Sequence, residues 1–96
     1  METGTSLDAR AGEAFIEALR RKAGLVFSEE EVVISERMNI GDSVVCTVEA
    51  RKVNGESSQA VGKAYVYHDL VVVCIESVCR KWREPTFPHH YEYLSY

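Results

Sequence analysis

The run Leu70-Val71-Val72-Val73-Cys74-Ile75 constrains this chain more than any other stretch. Its β-branched content favours extended backbone over helix. Because the apolar residues are continuous rather than alternating, both sides of such a strand are covered, which places it inside a sheet rather than at an edge. The strand is expected to reach Lys81, with alternation weakening from Glu76 and its second half emerging into solvent. Upstream, Val44, Cys46, Val48 and Ala50 share one face of an extended segment, and Thr47, Glu49 and Arg51 share the other. Asn54-Gly55 is a common tight-hairpin pair, since both residues tolerate positive φ. Gly62, Ala64 and Val66 then alternate with Lys63, Tyr65 and Tyr67, and His68-Asp69 marks a second turn. Gly41 to Arg83 therefore reads as a three-strand antiparallel meander.

The residues before it supply a helix and a lead-in strand. Leu7, Ala11, Ala14, Phe15, Ala18 and Leu19 recur at spacings of three and four, which predicts one apolar face of a helix from Leu7 to Ala23. Asp8 suits the positive end of its dipole, Arg20, Arg21 and Lys22 suit the negative end, and Gly24 is a natural stop. Ile16 lies off that face, which implies that the helix is covered on more than one side. Val32-Val33-Ile34 opens a strand expected to reach Met38, followed by a turn at Asn39-Ile40-Gly41-Asp42.

Ninety-six residues make one small domain, and 46% hydrophobic content is normal for a globular chain. A single sheet with one helix has a thin core, so self-association is a natural way to cover the other sheet face. The net charge of −4 argues against a dedicated nucleic-acid binder, although Arg20-Arg21-Lys22 and Arg80-Lys81-Arg83 form two local basic runs. Cys46, Cys74 and Cys79 have neither CxxC spacing nor a histidine at metal-ligand spacing, and they read as small apolar residues in a reducing compartment. No metal and no cofactor is expected. With no apolar leader and no run long enough to span a bilayer, a soluble, cytoplasmic protein is expected, without membrane association.

Past Arg83, Pro85 and Pro88 interrupt regular structure, so residues 1–83 read as the α+β domain and 84–96 as an aromatic tail. Three placements are open for that tail: back on the sheet, docked on a partner, or unstructured. Tyr65 and Tyr67 share a face with Lys63, and together with Trp82, Tyr91 and Tyr93 they are the candidate interface residues, since aromatic side chains are enriched where proteins meet. His68 falls in a turn, and His89 and His90 fall on the tail, a poor support for a metal or a catalytic histidine. Glu17 has a plain reading as a helix-surface carboxylate at ion-pair spacing to Arg20 and Arg21.

Three patches carry a family resemblance: Gly12-Glu13-Ala14-Phe15-Ile16-Glu17-Ala18-Leu19 with Ala23-Gly24, then Gly41-Asp42 before Val44-Val45, then Gly62-Lys63-Ala64-Tyr65-Val66 before Leu70-Val71-Val72. Over roughly residues 12–80 the chain resembles the hot-dog fold, in particular the C-terminal part of the 3-hydroxyacyl-ACP dehydratases. The resemblance implies a dimer, an acyl-thioester ligand and a role for Glu17 as the helix carboxylate that moves a proton. The family's histidine precedes the helix, whereas residues 1–11 hold none. The expected architecture is one N-terminal helix packed on a curled antiparallel sheet of about four strands. The expected function is a self-associating, non-catalytic interaction or regulatory module that binds a protein partner through an exposed sheet face and the aromatic tail. The alternative is a dehydratase- or thioesterase-like protein that binds or processes acyl thioesters.

Overall fold

In a computed structural model the chain is described over residues 7–52, 58–80 and 90–95, with side chains up to Cys79. Helix α1 (Leu7–Ala23) is followed by a single 3₁₀ turn (Glu29–Glu31) and then by β1 (Val32–Ile40), β2 (Ser43–Lys52), β3 (Ser58–Val66), β4 (Leu70–Arg80) and β5 (His90–Ser95). The strands form one antiparallel sheet in the order β1-β2-β3-β4-β5, with each strand beside its chain neighbours. The α+β class and the helix-on-sheet packing expected from the sequence hold. The stretch expected as a tail contributes a further strand, pairing Ile75 with His90 through Leu70 with Ser95. The Asn54-Gly55 turn and Trp82 lie outside the described residues.

Helix α1 ends where its sequence says it should. Gly24 has φ 70°, a left-handed conformation open to glycine at little cost, and the Leu25 N–H turns back to the Leu19 carbonyl at 3.3 Å. The buried face is Ala11, Ala14, Phe15, Ala18, Leu19 and Ala23. Leu7, expected on that face, is 42% exposed because it lies in the first turn, at the margin of the sheet. The helix alanines share the core with small residues of the sheet, Ala50, Ala60 and Ala64, and Gly62 is buried in the same strand as the last two. Phe15 fills the space left above Gly62. Phe27, from the link after the helix, is also buried.

Two irregularities set which residues face the helix. Ser35 is an extra residue between Ile34, opposite Val48, and Glu36, opposite Thr47. Glu76 is another, since Gly62 faces Ile75 while Val61 faces Ser77. The second bulge corrects one expectation. The latter half of β4 does not leave the core: Val78 is 1% exposed, because the extra residue returns it to the side occupied by Ile75. The weak alternation after Glu76 is the sequence trace of a bulge, not of an emerging strand.

Candidate functional site

Alternation sends the even-numbered side chains of β2 and β3 toward α1 and the odd-numbered ones to the opposite face, where the helix does not lie. Register lines up one apolar row across that face. Met38 is opposite Val45, Val45 opposite Tyr65, and Tyr65 opposite Val72. Val45, Tyr65 and Val72 are half-buried by their neighbours, and Met38 is 57% exposed. The same register pairs the Cα of Val72 with that of Tyr93, and Cys74 with Tyr91. The next row is polar, Glu36, Thr47 and Lys63, with Lys63 Nζ 3.3 Å from the Glu76 carboxylate. Val33 and Ile40 add exposed apolar surface on β1.

Tyr67 does not extend the row. β3 ends at Val66, so Tyr67 belongs to the turn, where its N–H bonds to the Leu70 carbonyl at 2.8 Å. It lines a cleft of about 520 Å³ at the end of the helix and sheet, together with Leu7, Arg10 and His68. One terminal nitrogen of Arg10 is buried without a hydrogen-bond partner among the described residues.

A second groove, about 370 Å³, runs between α1 and β1. Its floor is apolar, with Gly12 and Ile16 from the helix and Val32 and Ile34 from the strand. This accounts for Ile16 off the main helix face: it is half-buried against the β1 side of the sheet. Among the described residues the rim is acidic, with Asp8, Glu13 and Glu29 set against Arg37. Arg37 spans from β1 to the helix start and grips Asp8 with both ends of its fork, Nε lying 2.7 Å from Oδ1.

The Arg37 guanidinium holds the Asp8 carboxyl below the usual aspartate range, chiefly by hydrogen bonding and against a smaller opposing effect of burial. A carboxyl with a depressed folded-state pKa contributes stability above its unfolded value and loses it as pH falls through the folded value. In Arg37→Gln that contribution is gone at every pH. The urea midpoint of the native protein is therefore expected to exceed that of Arg37→Gln near neutrality, and the two are expected to converge as pH falls from the ordinary aspartate value through the depressed value of Asp8. A gap independent of pH would assign Arg37 a packing role instead. Cys46, opposite Arg37 in the ladder, is buried, and burial pushes its thiol up, which leaves it a protonated core residue and a poor nucleophile.

Glu17 lines neither cavity. It sits on the outer side of α1, ion-paired to Arg20 and, at 3.2 Å, to Arg21. The first basic run is thus partly engaged by its own helix. Among the described residues no three histidine, cysteine, aspartate or glutamate side chains gather as a metal site, and no helix is long and apolar enough to cross a membrane. The cross-strand row was missed at the sequence level because register, which neither strand carries alone, decides which residues become neighbours. The groove had one signal, the displaced Ile16. The class defined here is an α+β domain with one helix on an antiparallel meander. No protein-family model matches the chain, and no curated protein or solved structure is detectably similar to it.

Proposed function

We propose that this protein is a non-catalytic interaction module that pairs with a second copy of itself through the helix-free face of its sheet. The observation that supports this reading is the row Met38–Val45–Tyr65–Val72, an apolar stripe crossing four strands on the side away from α1. A contiguous apolar row, half-buried over three strands and exposed at Met38, suits a contact site. A second copy suits it because the same face carries both signs of charge, Glu36, Glu49 and Arg51 beside the Lys63–Glu76 pair, so a two-fold arrangement can set opposite charges against each other. Tyr65 and Val72 at the centre have the composition of an interface core, and the Cα of Tyr93 is next in register.

The acyl-thioester reading has less support. Glu17, its proton-moving group, is committed to two arginines outside both cavities, and the apolar groove has an acidic rim that repels anionic acyl carriers.

Light scattering on a sizing column is expected to give twice the chain mass of 10.8 kDa. Tyr65→Glu and Met38→Glu, each placing a carboxylate in the row, are expected to give monomers with unchanged circular dichroism; Met38 is the safer variant because it is already exposed. A native monomer, or a dimer that persists in both variants, overturns the proposal.

A further inference from the structure

The groove between α1 and β1 is physically separate from the sheet face and has its own chemistry. We infer that it is a docking site for a basic, apolar peptide segment of a partner protein: an aliphatic side chain seated on the floor, with lysine or arginine on either side against the rim. The inference shares with the proposed function the reading of this chain as an interaction module, but it uses a different surface and stands or falls separately.

The floor selects the apolar part. Ile16, Val32 and Ile34 present branched carbons, and Gly12, beside Val32, lines the groove with no side chain of its own. A Cβ built on Gly12 would come no nearer than 3.9 Å to any side chain, the Cγ1 of Val32. The position therefore has room for a methyl group, and the space in the groove is not demanded by packing. The volume, about 370 Å³, takes one or two aliphatic side chains rather than a long chain.

The rim selects the charge. Asp8, Glu13 and Glu29 line the groove, and Arg37, the one cation lining it among the described residues, is already held by Asp8. That pair is neutral as a unit, which leaves Glu13, from the helix, and Glu29, from the 3₁₀ turn, as the other carboxylates that line the groove. Both are exposed, and among the described residues neither has a salt-bridge partner. Two unpaired carboxylates lining an apolar channel complement a segment with a cation on each side of its anchor. They oppose fatty acids, phosphates and nucleic acid, and the whole chain, at −4, opposes them in the same sense.

Fluorescence anisotropy with a blocked, labelled Lys-Leu-Leu-Arg peptide tests this, using Glu-Leu-Leu-Glu and dodecanoate as anionic controls. Only the basic peptide is expected to bind, with affinity falling as salt is raised. Reversing both charges with Glu13→Lys and Glu29→Lys is expected to weaken binding about tenfold or more. Arg37→Gln, which frees Asp8, is expected to strengthen it, an opposite sign that general damage to the fold would not produce. Gly12→Ala, which raises the floor without a clash, is expected to weaken it several-fold in a folded protein. The Met38→Glu variant is expected to bind as the native protein does, so a failure of the dimer leaves this result readable. Equal binding of the basic and acidic peptides, preference for dodecanoate, no binding of the basic peptide, or indifference to the Glu13/Glu29 reversal overturns the inference.

Discussion

Gly62→Ala is expected to remove most of the stability of this protein. A Cβ at this position would fall inside any permitted distance of the Cys74 carbonyl oxygen, 2.9 Å from the Phe15 ring and 3.1 Å from the Ile75 Cα. Two of these three neighbours are backbone of the adjoining strand, beside the bulge at Glu76, and backbone cannot rotate aside as a side chain can. Overpacking in a core typically costs about 1–3 kcal/mol when side chains absorb it. Here β3 and β4 must separate, and the expected cost is about 4 kcal/mol or more. A domain of this size has a total of only about 5–15 kcal/mol. Urea denaturation followed by circular dichroism checks it. The expected result is a midpoint near zero urea or no cooperative transition, and a loss below about 1 kcal/mol would show that the two strands part easily.

Phe15→Ala is expected to cost about 3–5 kcal/mol, the usual range for emptying a buried aromatic site. Phe15 is fully buried, is among the largest side chains in the core, and is the helix residue nearest the Gly62 gap. The ring sits over Gly62 in a core that holds Ala11, Ala14 and Ala18 of the helix and Ala60 and Ala64 of β3, all small. None of them is long enough to fill the hole, so collapse is limited and the cost lies toward the upper end. The two substitutions are coupled. In a Phe15→Ala background the added methyl at residue 62 no longer meets the ring but still meets the Cys74 carbonyl. The Gly62→Ala penalty is therefore expected to be smaller there, yet still above about 1 kcal/mol. Full additivity would show that ring and glycine act independently. Complete rescue would show that the ring, not the strand backbone, is the obstacle.

These two residues show how differently parts of the fold register in the sequence. Phe15 was legible, since its spacing with Ala11, Ala18 and Leu19 marks a buried helix face on local periodicity alone. Gly62 looked like one more inward residue of an alternating strand. Its importance comes from β4 and α1 both closing on the same point, 12 and 47 residues away along the chain. The candidate sites divide in the same way. Tyr65 was legible as an outward-facing aromatic, but its cross-strand neighbours Val45 and Val72 were not, because each comes from a different strand. Glu17 occupies the plain ion-paired position that its spacing to Arg20 and Arg21 allowed.

By itself the sequence determined the elements whose signal is local: α1 from its 3.6-residue period and the stop at Gly24, β2 and β3 from strict alternation, β4 from its apolar run, and the turn at Gly41, whose φ of 59° suits glycine. Only the tertiary structure decided what depends on distant residues meeting. His90–Ser95 became a strand because the Leu70–Ile75 backbone offers it an unpaired edge, whereas its own sequence after Pro88 has no strong period. Ser35 and Glu76 became bulges because the partner strands lack a residue opposite them. Asp8 and Arg37, 29 residues apart, were joined by the packing of α1 beside β1, which also opened the groove. Period and propensity act over a few residues, while register, bulges and grooves are set by the free energy of whole surfaces coming together.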